Sequence, residues 1–385
     1  MQIFLLQPLI YICKTMATAI INARIFTGET VENFTNIIIE NGAVSALTNE
    51  FPADIPVIDL KGKNISPGFI DIQINGGREK YFSQTPDEDT LEDIYSACCD
   101  YATPFILPTL ISSPLPVILK AIESVRRFKQ KYPGVLGMHL EGPFFHPEKR
   151  GAHNPSIIRK PTDEELRTII SHGKDVIKVM TIAPEQFSES QLELLLESGI
   201  LLSAGHTTMT YDQAQHCFRK GISLVTHLFN AMTQMGHREC GLVGAVFDNS
   251  DVYAPIILDG GHCHYAAARI AYRQKQDKLF LITDSSFLGR QKKRFGWEGF
   301  NIEMNDGFYR DQQGSLAGAA ISMPEAVKNA VKHLGVTLQD AVEMATSRVA
   351  LAIGMQDKIG YIKPGYLAKF AVFNHDFSQV QNLML

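Results

Sequence analysis

The sequence predicts an α/β protein, a (β/α)8 TIM-like barrel with a small discontinuous β-sandwich domain that the N- and C-terminal segments form together. From Pro67 onward, short apolar runs alternate with amphipathic helical stretches, a pattern typical of a parallel sheet. The apolar runs number eight, which is the number that closes such a barrel. Segments rich in strand-forming residues flank them, and 385 residues suffice for a barrel of about 250 residues plus a small domain.

Residues 1-66 are predicted to be the N-terminal part of the small β domain. The runs AIINARIF, NIIIENGAVSAL and PVIDLKGKNISP favour short strands and are separated by turn residues. The opening MQIFLLQPLIYICKTM is apolar, but it lacks the basic n-region and the small-residue cleavage site of a signal peptide. We therefore interpret residues 1-15 as a mis-assigned start, with Met16 as the first residue.

Residues 67-358 are predicted to form the barrel. Its candidate strands are 68–75, 104–109, 135–140, 177–182, 200–205, 222–227, 255–259 and 279–284. The segments TDEELRTIISHG, SESQLELLLESG and TYDQAQHCFRKG are predicted helices, because each begins near a Ser, Thr or Asp that can cap a helix. The stretch from Ser322 to Ile353 is also predicted to be mainly helical.

Residues 359-385 are predicted to complete the small β domain. The run GYIKPGYLAKFAVFNHDF has β character and is expected to pair with the N-terminal strands, so that both ends of the chain build one domain. A further strand would be expected beyond it, and the final QVQNLML is interpreted as lacking that strand. The completeness of the β layer is therefore an open question for the structure.

Composition excludes several classes of protein. The formal net charge is −5 and no run of Lys and Arg is present, so we expect no nucleic-acid partner. No stretch approaches the roughly 20 apolar residues that a membrane-spanning helix needs, so we expect no membrane partner. Six cysteines without CxxC spacing or the pattern of a disulfide framework indicate a reduced, cytoplasmic protein.

Polar side chains follow five of the predicted barrel strands. They are Glu141, His206, His227, His262 and Asp284. Because the carboxyl ends of barrel strands converge on one mouth, we expect these side chains to meet there although they lie far apart in the sequence. Polar strand ends at five places predict a functional site at the mouth.

Two of these histidines and one glutamate predict a metal site. Glu141, His206 and His227 would bind Zn²⁺ or a similar divalent ion and leave positions open for water and substrate. A lone histidine beside an apolar strand is more often structural, so the hypothesis depends on all three together. Asp284 could accept a proton from water and return it to a leaving amine, although a turn or helix-capping aspartate is the alternative.

Loops after the strands add further candidates. His153 in KRGAHNPS could donate a hydrogen bond to a carbonyl or to a sugar hydroxyl. Asn230 and Arg238 follow the sixth strand, and an arginine is suited to bidentate binding of phosphate. The small residues of GSLAGA, 314–319, would let the backbone approach a ligand. Each also has an ordinary explanation, as an exposed loop residue or a tight turn.

Eight motifs, in order along the chain, together resemble one family, the N-acetylglucosamine-6-phosphate deacetylases of the amidohydrolase superfamily. The motifs are PGFIDIQINGG (67–77), HLEGPFF (139–145), GAHNP (151–155), AGHT (204–207), THLFNAM (226–232), DGGH (259–262), TDS (283–285) and GSLAG (314–318). The combination of HLEGP, GHT and THLFNAM is specific in a way that none of the three is alone. The resemblance covers nearly the whole predicted barrel.

The resemblance implies hydrolysis of N-acetyl-D-glucosamine 6-phosphate to D-glucosamine 6-phosphate and acetate. It implies one divalent metal ion per subunit, with zinc expected and iron, cobalt or manganese as alternatives, held by Glu141, His206 and His227. It implies that Asp284 moves the proton and that His153 polarises the acetamide carbonyl. The implied substrate contacts are Ala152, His153, Asn230, Ala231, Arg238, Asp259, Gly260, Gly261, His262, Leu316, Ala317 and Gly318. A homodimer follows as well, because in the family the counterpart of Arg238 reaches the phosphate across the subunit interface.

One departure and three alternatives accompany this interpretation. Many amidohydrolases carry HxH on the first barrel strand, where this chain has Gln73 and Asn75, so a single-metal site is expected rather than a binuclear one. The alternatives are a deacetylase for N-acetylgalactosamine 6-phosphate, an amidohydrolase of a cyclic amide, and a non-catalytic regulator that binds an amino-sugar phosphate.

Overall fold

The computed structural model describes residues 17–33, 35–50 and 54–385. The strands are β1 (Thr18–Ile21), β2 (Arg24–Phe26), β3 (Val31–Glu32), β4 (Asn36–Glu40), β5 (Ala43–Thr48), β6 (Val57–Asp59), β7 (Asn64–Pro67), β8 (Ile70–Ile74), β9 (Phe105–Ile111), β10 (Met138–Glu141), β11 (Ile177–Ile182), β12 (Leu201–Ala204), β13 (Leu224–Val225), β14 (Ala254–Ile257), β15 (Leu279–Ile282), β16 (Arg294–Trp297), β17 (Phe300–Asn305), β18 (Phe308–Asp311), β19 (Lys369–Phe373) and β20 (Val380–Met384). The interpretation of residues 1-15 lies outside the described residues.

The α-helices lie mainly between the barrel strands and after them. They are α1 (Glu88–Asp100), α2 (Leu115–Lys131), α3 (Asp163–Gly173), α4 (Glu189–Glu197), α5 (Tyr211–Arg219), α6 (Gly241–Phe247), α7 (Tyr265–Lys275), α8 (Met323–Asn329), α9 (Leu338–Glu343) and α10 (Ser347–Ala352). Short 3₁₀ helices cover Pro147–Lys149, Pro184–Gln186, Gln276–Lys278 and Leu288–Arg290, and a π-helical turn covers Ala330–Leu334. In the described part of the chain, no helix is long and apolar enough to cross a membrane.

The eight predicted barrel strands are all present, as β8 to β15. Six of them, β8 to β13, form one parallel sheet in sequence order, and β14 pairs in parallel with β15. Single bridges link the two parts, from Leu224 to Tyr253 and from Ile74 to Ser285. The α/β barrel fold is therefore confirmed, with every strand pointing its carboxyl end to the same mouth.

Helix starts are set by the capping residues that the sequence offers. The Thr162 hydroxyl accepts a hydrogen bond from the Glu165 N–H at the start of α3. The helices α4 and α5 begin with capping boxes, in which a Ser or Thr and a Gln three residues later satisfy each other's backbone N–H groups. These contacts confirm the three helices predicted from their capping residues.

The small β domain consists of two sheets from both ends of the chain. Their strand orders are β5-β4-β1-β6 and β20-β19-β7-β2-β3. Its own apolar core includes fully buried Ile20, Ile37 and Ile65 from the N-terminal segment and Phe370 from the C-terminal one. The two ends thus share one core, as a discontinuous sandwich requires, while the exact domain boundaries stay a prediction.

The interpretation that QVQNLML lacks a further strand was wrong. Val380 to Met384 form β20, which pairs antiparallel with β19 from Phe373↔Val380 to Lys369↔Met384. A turn closes this hairpin, because the Asn374 side chain accepts a hydrogen bond from the Gln379 N–H. The strand was missed because β20 contains the polar amides Gln381 and Asn382 and a single β-branched residue, so that only the pairing with β19 makes it extended.

An antiparallel sheet of β16, β17 and β18 was not predicted. It lies between the last barrel strand and α8, with strand order β16-β17-β18. Its apolar residues, with Tyr81, Phe287 and Ala317, form a cluster separate from the barrel core. The sequence signal was present, because Phe300, Ile302 and Met304 alternate with polar residues as in a half-buried strand.

Replacing Ile65 by alanine should destabilise the small domain. Ile65 is fully buried on the central strand β7, opposite Ile25 and Val372. The cavity left behind should lower the free energy of unfolding by about 2–5 kcal/mol, as measured by denaturant unfolding monitored by circular dichroism. The control is Val57→Ala, whose side chain lies on β6 and is 40% exposed. Equal losses in the two variants would contradict the shared core.

Candidate active site

Four of the predicted site residues stand at the carboxyl ends of barrel strands. Glu141 is the last residue of β10, and His206, His227 and Asp284 lie two residues after β12, β13 and β15. Glu141 is 3% exposed, and each of the two histidines is 4% exposed. The convergence expected from the sequence therefore occurs, because a closed parallel barrel brings all its strand ends to one mouth.

Three of these residues leave their strands with a left-handed backbone. The φ angles are 51° at His206, 32° at His227 and 49° at Asp284. A side chain in this region costs on the order of 1–3 kcal/mol and persists only where the surrounding structure holds it. The sharp turn after each strand directs the side chain across the mouth instead of along the loop.

Glu141, His206 and His227 meet in one compact cluster. The His206 Nε2 and His227 Nε2 atoms are 3.1 Å apart, and each lies 3.3 Å from Glu141 Oε1. Three ligand atoms of a tetrahedral zinc site, each about 2.0–2.1 Å from the ion, are separated by about 3.3 Å. The three side chains thus fit a divalent metal ion in both donor type and spacing.

Hydrogen bonds prepare the cluster for such an ion. The His206 Nδ1 atom lies 2.8 Å from the Lys149 carbonyl oxygen. Because a carbonyl only accepts, Nδ1 carries the proton, and the Nε2 lone pair faces the cluster. Burial raises the pKa of Glu141, but the contacts of its carboxylate with the His206 and His227 rings outweigh burial and hold the pKa well below its ordinary value. Glu141 is therefore an anion, as a ligand must be.

The Asp284 carboxylate lies beside the cluster and contacts two amide side chains. Its Oδ1 atom accepts hydrogen bonds from Asn75 Nδ2 at 2.8 Å and from Gln73 Nε2 at 3.2 Å. Burial, with a further contribution from the negative charge of Glu141, raises the pKa of Asp284 to about 6. A carboxylate with a pKa close to neutrality can both accept and return a proton.

His153 is held as a neutral hydrogen-bond donor. Its Nδ1 atom accepts from the Ser112 backbone N–H at 3.3 Å and lies 2.8 Å from the Ser112 hydroxyl. With Nδ1 accepting, the proton of the neutral ring sits on Nε2. Burial, and then the neighbouring His206, lower the pKa of His153 to about 3, so the ring stays uncharged. The ring packs against His206 at a centroid distance of 4.9 Å.

A cavity of about 160 Å³ opens over these groups. The predicted site residues that line it are Glu141, Ala152, His153, His206, His227, Asn230, Ala231, His262, Asp284, Leu316, Ala317 and Gly318. Five further lining residues were not predicted as contacts: Asn75, Tyr81, Ile111, Gly151 and Phe300. Tyr81 and Phe300 lie outside the motifs that the sequence analysis identified, and Phe300 belongs to the unpredicted β16–β18 sheet.

Four predicted contacts do not line this cavity. Arg238 is exposed on the loop after β13 and makes no hydrogen bond or ion pair with the described residues. The other three are Asp259, Gly260 and Gly261, which directly precede the cavity-lining His262 in the sequence. The Asp259 Oδ2 atom accepts from His262 Nδ1 at 2.7 Å, so this carboxylate orients the imidazole. Direct substrate contacts from these four residues stay predictions.

Most of the chain is similar to known proteins of one family. The amidohydrolase family model matches residues 64–383. A curated N-acetylglucosamine-6-phosphate deacetylase of Haemophilus influenzae is 36% identical over 372 residues, covering 95% of the chain and 97% of the relative. A curated N-acetylgalactosamine-6-phosphate deacetylase of Shewanella sp. is 34% identical over 338 residues, covering 87% of the chain and 85% of the relative.

Solved structures resemble nearly the whole chain, including both the barrel and the small domain. A crystal structure of N-acetylglucosamine-6-phosphate deacetylase from Pasteurella multocida superimposes with a TM-score of 0.91 at 34% identity, covering 96% of the chain and 98% of that structure. The corresponding protein of Mycobacterium smegmatis, in complex with N-acetyl-D-glucosamine-6-phosphate, gives a TM-score of 0.87 at 26% identity, covering 95% and 96%.

Removal of one cluster residue should abolish tight zinc binding. Glu141→Gln replaces a carboxylate oxygen by a poor amide ligand, and its zinc affinity should fall by at least about a hundredfold. The measurement is a competition titration against a chelating dye, which needs no substrate. His262→Asn is the control, because this histidine lines the same cavity outside the cluster. Unchanged zinc affinity in Glu141→Gln would contradict the assignment of the cluster.

Proposed function

The chain belongs to the amidohydrolase family, and on that premise we propose that it hydrolyses N-acetyl-D-glucosamine 6-phosphate to D-glucosamine 6-phosphate and acetate. The observation that carries the proposal is the arrangement around one cavity: a three-ligand cluster, the carboxylate of Asp284 and the neutral imidazole of His153. This set provides a proton acceptor and a hydrogen-bond donor beside a metal site, which hydrolysis of an amide requires. The similarity to curated deacetylases supports the same substrate class.

Glu141, His206 and His227 would hold one divalent ion, for which zinc is our proposal. An ion bound there would supply a Lewis acid and would lower the pKa of water toward neutrality. Two imidazoles and one carboxylate also accept iron, cobalt or manganese, and metal availability decides among them. Gln73 and Asn75 are poor ligands compared with histidine, so the proposed site has one ion.

In the proposed hydrolysis, Asp284 transfers the proton and His153 stabilises the carbonyl oxygen. Asp284 accepts a proton as water attacks the acetamide carbon. The His153 Nε2–H donates a hydrogen bond to the carbonyl oxygen, which becomes negative in the transition state. Asp284 then gives its proton to the sugar nitrogen as the C–N bond breaks, so that one water is consumed and acetate and an amine are released.

The phosphate of the substrate would be bound at the outer part of the site. We assign to it His262, which Asp259 orients, and Arg238 of a second subunit in a homodimer. Arg238 is exposed, lies on a loop and makes no hydrogen bond or ion pair with other described residues, which suits a role at a neighbouring site. Binding of a remote phosphate supplies energy that can orient the acetamide for reaction. Asn230, Ala231, Leu316, Ala317 and Gly318 would contact the sugar.

We also propose that the protein is cytoplasmic, because its described cysteines are free thiols and form no disulfide bonds. Among the described residues, the free cysteines are Cys98, Cys99, Cys217, Cys240 and Cys263. Free thiols in this number are typical of a reducing compartment. The proposed substrate is a phosphorylated metabolite, which agrees with that placement.

The second candidate substrate is the galactosamine epimer. A relative that is 34% identical is an N-acetylgalactosamine-6-phosphate deacetylase. The two epimers differ only in the orientation of one hydroxyl, so both can present the same acetamide to the same catalytic groups. The cluster, Asp284 and His153 would keep their roles with either epimer.

The function is tested by acetate release from N-acetylglucosamine 6-phosphate on zinc-loaded protein. We expect rapid release from this compound and much slower release from unphosphorylated N-acetylglucosamine, which lacks the phosphate that Arg238 and His262 would bind. N-acetylgalactosamine 6-phosphate is assayed beside it, and faster release from this epimer would move the assignment to the second candidate.

Asp284→Asn serves as the catalytic control in the same assay. Loss of the proton acceptor should lower kcat by about 10²–10⁴-fold. Full activity in this variant would rule out the proposed mechanism. No release from any of the three compounds would rule out the proposed function.

The assignment of Arg238 to a neighbouring site predicts complementation between two defective variants. Arg238→Ala should have a raised KM, and Asp284→Asn should have a low kcat. A mixed dimer of the two retains one site with an intact Asp284 and the partner's intact arginine. Coexpression should therefore recover about a quarter of the wild-type activity at low substrate concentration. Activity no higher than the average of the two separate variants would show that Arg238 serves its own subunit.

A further inference from the structure

Two uncharged amide side chains lie at the end of the first barrel strand, next to Asp284 and to the cluster of three candidate metal ligands. Gln73 lies on β8 and Asn75 directly follows it, and they are 1% and 2% exposed. Residues separated by two positions on a strand share a face, so both amides point toward the mouth. The proposed reaction gives neither of them a part, although both contact Asp284.

The hydrogen bonds of the two amides converge on one oxygen. Gln73 Nε2 donates to Asp284 Oδ1 at 3.2 Å and to Glu141 Oε1 at 3.1 Å. Asn75 Nδ2 donates to the same Asp284 Oδ1 at 2.8 Å. Because an ionised carboxylate only accepts, the NH₂ group of each amide must be the part that faces it. Asp284 Oδ2 makes no hydrogen bond with any described residue.

Backbone hydrogen bonds also link the end of β8 to the turn that contains Asp284. The Asp284 N–H donates to the Gln73 carbonyl at 2.9 Å, and the Asn75 N–H donates to the Ser285 carbonyl at 3.0 Å. One layer below, the buried Asp71 carboxylate accepts hydrogen bonds from the Thr283 hydroxyl and backbone N–H. The end of β8 and the Asp284 turn are therefore linked by both backbone and side-chain hydrogen bonds.

We propose that Gln73 and Asn75 are positioning residues that commit Asp284 Oδ1 to two hydrogen bonds and leave Oδ2 as the oxygen that exchanges the proton. Gln73 also connects Asp284 to Glu141, so the proton acceptor keeps a constant place relative to the metal cluster. This inference rests on the proposed function for the role of Asp284. The geometry that it assigns to the Asp284 carboxylate can be tested without that function.

The charges in the site explain why amides suit these two positions. Glu141 and Asp284 are both carboxylates, and the charge of Glu141 raises the pKa of Asp284. A neutral NH₂ group can donate one hydrogen bond to each of them without adding charge, whereas a third carboxylate would repel both. The two N–H groups of Gln73 match the two acceptors that face it.

The side-chain oxygen of Asn75 is left unpaired, which lowers folding stability. Its Oδ1 atom is buried and has no hydrogen-bond partner among the described residues. An unsatisfied buried acceptor costs about 1–3 kcal/mol, so folding stability alone would favour an apolar side chain here. The Nδ2 contact with Asp284 is the gain that offsets this loss.

Replacement of the amides by apolar side chains of similar size tests the inference. In Asn75→Leu and in Gln73→Met, kcat should fall by about 10–100-fold, while KM changes by less than about twofold, because orientation of the proton acceptor matters in the transition state. Asn382→Leu is the matched control, since Asn382 also has an unpaired buried Oδ1 but lies on β20 in the small domain. An equal fall of kcat in Asn382→Leu, or a change confined to KM, would overturn the inference.

A double-mutant cycle tests whether Asn75 acts through Asp284. When Asp284→Asn is already present, adding Asn75→Leu should lower kcat no further, because the carboxylate that it positions is gone. Additive losses would overturn the inference. Zinc content and the thermal unfolding midpoint of each variant are measured in parallel, and Gln73→Met is the replacement for the cycle if Asn75→Leu does not fold.

Crystal structures of the zinc-loaded wild type and of Asn75→Leu and Gln73→Met give a readout that is independent of substrate. The wild-type carboxylate should show Oδ1 bound to both amides, and it should be rotated in the variants. An unmoved Asp284 carboxylate in both variants would overturn the inference. If the wild type releases no acetate from any N-acetylhexosamine phosphate, the proposed function fails, and these structures still decide whether the amides position Asp284.

Discussion

The contact of the buried Glu141 carboxylate with two imidazoles is the interaction on which the barrel mouth depends. A carboxylate that is 3% exposed must be paired, because an isolated buried charge is strongly destabilising. Its Oε1 atom faces both His206 and His227 and also accepts from Gln73. The Lys149 carbonyl in turn fixes the ring of His206. His206, His227 and, through Gln73, Asp284 are thus positioned relative to one oxygen atom.

Several energetically unfavourable features of the structure lie at this mouth. His206, His227 and Asp284 have left-handed backbones, and the buried atoms Asn75 Oδ1 and His227 Nδ1 have no partner among the described residues. Each feature costs on the order of a few kcal/mol at most, and the continuous apolar core of the barrel offsets them. A site that must bind an ion and a substrate cannot have all its polar groups satisfied by the protein alone.

The β16–β18 sheet gives the mouth its apolar wall. Phe300 of β17 lines the cavity, and its ring contacts Tyr81 at a centroid distance of 5.4 Å. The same insertion holds the loop that carries His153, because Asn154 Nδ2 donates to the Glu298 carbonyl at 3.1 Å. The proposed catalytic groups therefore come from the barrel and its loops, while part of the surface that a sugar would meet comes from the β16–β18 insertion.

The sequence by itself determined the eight strands, the capped helices and the polar residues at the strand ends, because periodicity and capping are local properties of the chain. Only the tertiary structure decided that β20 pairs with β19, that Phe300 lines the cavity and that Arg238 stays outside it. It also decided that Gln73 and Asn75, more than 200 residues before Asp284, share its Oδ1 atom. Contacts of this kind depend on which strands become neighbours when the barrel closes, and no local pattern records that.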